Sequence, residues 1–114
     1  MVLLVKAKYS NYFYFRIEDD LGEPMNLFGL SIKFQVINKK GEQVLIKSVG
    51  NGVFLDPGRP GVLEVRINEE ESSLLYSLPQ PLSYALYYES PGGKVMLSDG
   101  IITAYKFSGE IPNS

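Results

Sequence analysis

The chain has no histidine, no cysteine and no tryptophan. Histidine is the commonest general base at neutral pH and the commonest metal ligand. Without it and without cysteine, Ser-His and Cys-His nucleophile pairs are excluded, as are zinc sites built on those ligands. There are no disulfides and there is no thiol chemistry. Long apolar runs are also missing. The start, "MVLLVKAKYS", holds only a four-residue apolar run, too short for the apolar core of a signal peptide or for a membrane span. The chain is therefore expected to fold in a cytoplasm and to make no membrane contact. Thirteen acidic residues stand against eleven basic ones, with no concentrated basic stretch, so a nucleic-acid partner is not expected.

What remains is ordinary globular material, 45% hydrophobic and 21% charged over 114 residues. That is the size of one domain, able to bury a real core without staples. The pattern is β almost throughout. "NYFYFRI" puts Phe13, Phe15 and Ile17 on one face of a strand and Tyr12, Tyr14 and Arg16 on the other, because successive side chains alternate. "SIKFQVIN" alternates with Ile32, Phe34 and Val36 inward. "GVLEVRIN" does the same with Leu63, Val65 and Ile67 inward and Glu64 and Arg66 outward. "LSYALYYE" places Tyr84, Leu86 and Tyr88 together. "NKKGEQ" reads as a hairpin turn with Gly41 at positive φ before the returning strand "VLIKSV", and a short strand is expected over Val53 to Leu55. "VMLSDGIITAYKF" reads as a long strand or a kinked pair with a bulge at Gly100.

One stretch breaks the rhythm. In "NEEESSLLYSLPQP", Asn68 predicts an N-cap, three acids fill the first turn, and Leu74, Leu75 and Leu78 supply an apolar side. One to two helical turns are predicted near residues 69 to 76, stopped by Pro79. Seven or so short strands with this one helical turn predict an all-β fold: a single antiparallel β-sandwich of immunoglobulin-like type spanning residues 1–114. Residues 1–8 form an N-terminal strand or arm and residues 108–114 a polar tail.

The order of these elements resembles small immunoglobulin-like β-sandwich domains of tailed bacteriophages, such as the N-terminal domain of upper baseplate proteins. The resemblance runs over about residues 12 to 107. It is carried by Leu27-Phe28-Gly29 before the first core strand, by Gly61, Leu63 and Val65, and by the acidic helical turn. A Leu-Pro step, the Tyr84 and Leu86 strand, and the closing strand with Gly100 complete it. The resemblance implies a non-enzymatic structural subunit of a virion, in the tail, baseplate, neck or fibre-attachment region, assembled in the host cytoplasm. Its partners would be other virion proteins and copies of itself.

The polar clusters support no rival chemistry. Asp19, Asp20 and Glu23 lack the ligand spacing of a calcium loop and read as a turn. Glu69, Glu70 and Glu71 read as complements to a helix N-terminus, and no cofactor is expected. The glycines of "GNG" and "PGRPG" match no phosphate-cradling pattern. The aromatics are more telling. Both faces of the strand at residues 12 to 17 carry large residues, as in strands covered on both sides, and tyrosine is enriched at interfaces. The predicted subunit interface is Tyr12, Tyr14, Arg16, Arg59, Tyr87, Leu3 and Leu4. Leu3 and Leu4 belong to an apolar N-terminus that either adds a strand to its own sheet or docks on a neighbour, the former favoured. A weak carbohydrate contact through the aromatic platform is the alternative role.

Overall fold

The computed structural model describes residues 1–106; the tail expected at residues 108–114 lies outside them. In chain order the elements are β1 (Val2–Lys6), β2 (Asn11–Arg16), β3 (Ser31–Ile37), β4 (Gln43–Val49), β5 (Gly52–Leu55), β6 (Val62–Ile67), α1 (Glu69–Tyr76), β7 (Leu82–Ser90) and β8 (Gly93–Tyr105). The strands form one eight-stranded sheet in the order β1-β8-β7-β3-β4-β5-β6-β2.

The expected alternation is present. Ile32, Phe34 and Val36 of β3, Leu63, Val65 and Ile67 of β6, and Tyr84 and Leu86 of β7 are buried in one core cluster. There a ring of the terminal strand β2 meets rings of the central strands β3 and β7. Phe15 of β2 lies 6.3 Å from Phe34 and 6.0 Å from Tyr84, centroid to centroid, and Phe34 stacks on Tyr84 at 5.6 Å. The sheet therefore folds over on itself, so that β2 faces β3 and β7 across the interior. Aromatic pairs at these spacings contribute beyond the area they bury.

The expectation of a wholly antiparallel sheet is corrected. β1 runs parallel to β8, with Leu3 beside Ile102 and Val5 beside Ala104, and β4 meets β5 in a short parallel pairing. The first of these follows from a break in the stretch Val2 to Ile17. Lys8 sits at φ 71 in a turn, and the chain leaves β1 at one end of the sheet and enters β2 at the other. Asn11 secures this corner. Its Oδ1 accepts from the Lys6 N–H at 2.9 Å and its Nδ2 donates to the Lys6 carbonyl at 3.0 Å and the Tyr9 carbonyl at 2.9 Å. The N-terminus thus adds a strand to its own sheet. Leu3 is only 7% exposed, which removes it from the predicted interface.

The helix forms where the sequence placed it. The Asn68 side chain accepts from the Glu71 N–H at 2.8 Å, and the Glu71 carboxylate accepts from the Asn68 N–H at 2.9 Å, a reciprocal capping box. Leu75 is fully buried and Leu78 packs against the core, but Leu74 faces solvent. Gln80 ties the far end to the sheet. Its Nε2 donates to the carbonyls of Leu75 and Leu78, and its Oε1 accepts from the Ala104 N–H of β8.

Two further expectations on β7 and β8 shift. The long strand is continuous, and its bulge falls at Leu97, where the register slips between Leu86 opposite Ser98 and Tyr87 opposite Met96. Gly100 is required for another reason. A Cβ there would collide with the Met1 carbonyl oxygen, which accepts the Ile101 N–H at 3.0 Å. Tyr87 points outward as expected, yet it is only 6% exposed. Lys33 lies opposite it on β3, and the Lys94 ammonium stands 4.9 Å over its ring. Its own neighbours cover it, so Tyr87 is not free to meet another subunit.

Candidate functional site

Three exposed aromatics, Tyr12, Tyr14 and Phe54, share the outer face of β2, β6 and β5. The register builds this face in rows. Tyr12 lies opposite Arg66, Tyr14 opposite Glu64, and Arg16 opposite Val62. On the far side of β6, Phe54 also lies opposite Glu64. Antiparallel neighbours on one face bring side chains within contact range, so a Tyr14–Glu64–Phe54 row crosses three strands. Tyr12 is 56% exposed and Tyr14 64%, and Phe54 is exposed beside them.

Arg66 organises the face. Its guanidinium carbon lies 4.1 Å from the Phe54 ring centroid and 6.0 Å from that of Tyr12, within the range of cation–π attraction. Its Nε donates to the Glu64 carboxylate. Glu64 also accepts the Tyr14 hydroxyl. The Arg66 hydrogen bond, followed by that of Tyr14, holds the Glu64 carboxyl below the usual carboxylate range. The same bond and the adjacent negative charge push the Tyr14 phenol upward. Tyr14, Glu64 and Arg66 are thus held in place by one another, which lowers the ordering cost when another surface packs on them.

Below this row the loop after β5 adds a wall. Asp56 accepts the Gly58 N–H at 2.8 Å and the Arg59 Nε at 2.7 Å, and these bonds, that of Arg59 first, hold its carboxyl low. A groove of about 420 Å³ runs between the strands and this loop, lined by Tyr14, Arg16, Pro24, Arg59, Pro60 and Val62. Arg16 stands at its rim with its side chain 72% exposed and Glu18 4.0 Å away.

Of the predicted interface residues, Tyr12, Tyr14, Arg16 and Arg59 come together here. Leu4 is exposed but lies on β1, at the opposite end of the sheet order. There it forms a separate apolar strip with Val2 and, across the ladder, Ile101. Leu3 and Tyr87 are buried within the chain, as described above. Sequence reasoning placed Glu64 and Arg66 outward without assigning them to the surface, and it did not select Phe54. The signal for Phe54 is the alternation in "GVFL", where Val53 is inward; its partners depend on pairing that alternation does not reveal.

Among the described residues there is no group of three or more carboxylates that could hold a metal ion, and no helix is long and apolar enough to cross a membrane. The arrangement is suited to recognition: flat rings with polar tips, a fixed ion pair and a shallow groove. No family model matches the chain, and neither the curated proteins nor the solved structures include a match.

Proposed function

We propose that the protein is a non-enzymatic structural subunit of a tailed bacteriophage virion, in the tail, baseplate, neck or fibre-attachment region. It acts by assembling with other virion proteins and with its own copies. The observation that carries the assembly role is the row Tyr12, Tyr14, Phe54 and Arg66, exposed rings held in place by a Glu64-centred network on a terminal strand. Exposed aromatic residues with preset geometry are what interface anchors require. The virion setting rests on the order of elements described at the outset.

The strand order supports an immunoglobulin-like sandwich. Within the one eight-stranded sheet, β2-β6-β5 and β3-β7-β8 are runs of neighbours, the two sets that the layers of such sandwiches use. In this reading the sandwich is a rigid mount, and subunits meet through its outer faces and strand edges. Cross-linking mass spectrometry on intact particles tests the proposal. Cross-links from Lys8, Lys39 or Lys94 to other virion proteins are the expected result; a protein absent from purified particles overturns it.

A second reading is favoured by the groove beside the rings. Aromatic faces next to Glu64, Asp56 and Arg59 also suit stacking of a sugar ring with polar contacts at its edge, as in a carbohydrate-binding module for host-surface adhesion. A glycan array separates the two: saturable binding that Tyr14→Ser abolishes selects the module, and no binding selects assembly alone.

A further inference from the structure

Strand β2 ends the sheet, and hydrogen-bond parity shows which of its groups are open. Ile17 donates its N–H to the Gly61 carbonyl at 2.7 Å, and on the far side of β6 Asp56 donates to the Val62 carbonyl at 3.0 Å. Main-chain groups alternate sides along a strand. In β6, therefore, Gly61, Leu63, Val65 and Ile67 bond towards β2, and the even positions bond towards β5. In β2, Phe13 and Phe15 bond inward to β6. The N–H and C=O of Tyr12, Tyr14 and Arg16 point to the open side, where none of the described strands is hydrogen-bonded to β2.

β1 approaches the start of β2, where the Asn11 side chain bonds the Lys6 main chain, but it is not a ladder neighbour of β2. The turn after β2 returns on the β6 side, since Met25 donates to the Ile17 carbonyl at 3.0 Å and Ile17 itself bonds to Gly61. Edge strands of monomers are usually blunted by lysine, proline or a bulge. Asn11–Arg16 has no lysine or proline, and its register with β6 runs without a shift.

The sequence of the edge matches itself. We infer that β2 pairs antiparallel with β2 of a second copy about a two-fold axis through Tyr14. This rests on the assembly reading above and names one partner within it. In that register Tyr12 lies opposite the partner's Arg16, and Tyr14 lies opposite the partner's Tyr14. All these residues carry the outward-pointing main-chain groups, so each such pair exchanges two hydrogen bonds. On the outer face the guanidinium of Arg16, whose side chain is 72% exposed with Glu18 4.0 Å away, meets the ring of Tyr12 from the partner subunit, a cation–π pair made twice by symmetry. On the inner face Phe13, half-buried in the single chain, lies opposite the partner's Phe15 and extends the apolar interior. A shift by two residues one way sets Arg16 against the partner's Ser10, outside the strand, and the other way sets it against the partner's Tyr14 but pairs only residues 14–16 of β2, so this register alone keeps the Tyr–Arg pairs together with the longer ladder.

The test uses the whole chain. Sedimentation equilibrium between about 5 and about 500 μM spans the range in which small interfaces dissociate, and a monomer–dimer equilibrium is expected. Tyr12→Lys sets two cations against each other across the axis and should weaken dimerisation at least about tenfold. Adding Arg16→Glu to that variant restores an opposite-charge pair and should recover it. Leu4→Ser, at the other end of the sheet, should leave it unchanged. Amide exchange gives a readout independent of substitution: Tyr12, Tyr14 and Arg16 gain protection as concentration rises, while Phe13 and Phe15 are protected throughout. A wild-type protein that stays monomeric overturns the inference, as does a dimer insensitive to Tyr12→Lys, a double variant that fails to recover, or a dimer lost with Leu4→Ser. A monomer that still cross-links to virion proteins overturns the two-fold and leaves the assembly role standing; a dimer found in no particle does the reverse.

Discussion

The ion pair between Lys47 and Glu71 joins β4 to the helix, and its removal can be costed from the structure. The Lys47 side chain is 9% exposed and that of Glu71 21%, and Nζ lies 2.5 Å from each carboxylate oxygen. The lysine stem lies over Gly52, where a Cβ would strike it. Breaking a fully buried pair by removing one partner costs about 3–5 kcal/mol, because the remaining charge loses its compensation. Glu71 keeps some access to water, so Lys47→Met, which preserves the stem, should cost about 2 kcal/mol. Glu71→Ala removes the same pair and also the carboxylate that accepts the Asn68 N–H. A lost capping contact adds about 1 kcal/mol, giving about 3 kcal/mol. Glu71→Gln keeps an acceptor for Asn68 and should match Lys47→Met. Urea unfolding followed by circular dichroism measures each change. In the double variant Lys47→Met/Glu71→Gln, the two losses should overlap by at least about 1 kcal/mol. Additive losses, or a Lys47→Met variant as stable as the parent, would refute the assignment of this pair as the strut between sheet and helix.

Gly100→Ala should destabilise the fold by about 1–3 kcal/mol through the clash with the Met1 carbonyl, and amide exchange should show the loss first at Ile101; unchanged protection there would count against the close approach. Gln80→Ala should lower the thermal midpoint by roughly 8 °C, since about 2 kcal/mol is lost where carbonyls of Leu75 and Leu78 and the Ala104 N–H lose their partner; a midpoint within error of the parent contradicts the bridging role. The Tyr14 phenol titrates above its ordinary value, so its folded-state advantage is complete below that value and is lost as pH rises through the folded one. Glu64 behaves in the opposite sense: its contribution is present above the ordinary carboxylate value and is lost as pH falls through the depressed one. An alkaline absorbance titration of tyrosinate should lose a late-ionising group in Tyr14→Phe, and losing an early one instead would be inconsistent with the Glu64 bond.

Local interactions made much of this protein legible from its residues. The period of two in β3, β6 and β7 needs only the pleat of a strand and a hydrophobic interior. The hairpin at Gly41, with φ 82, needs only one residue that tolerates positive φ. The helix starts at Asn68 because Asn68 and Glu71 are three residues apart and satisfy each other. The outward aromatics of β2 were legible for the same reason, and with them the predicted cluster of Tyr12, Tyr14 and Arg16.

The remainder depends on which strands lie side by side, and that is a property of distant segments. Tyr12 and Tyr87 look alike in a pattern of alternation. Only the position of β7 between β3 and β8, with Lys94 above the ring, covers one and leaves the other exposed. Leu3 and Leu4 are interchangeable as letters until β1 pairs with β8 and turns one inward. Lys47 reads as a surface lysine until Glu71, 24 residues further along the chain, is brought against it. The amino-acid order by itself determined where strands, turns and the helix cap occur, because those follow from neighbours a few bonds apart. The tertiary structure alone decided partners, edges and the exposed face, because these depend on contacts that exist only after the chain has folded over its core.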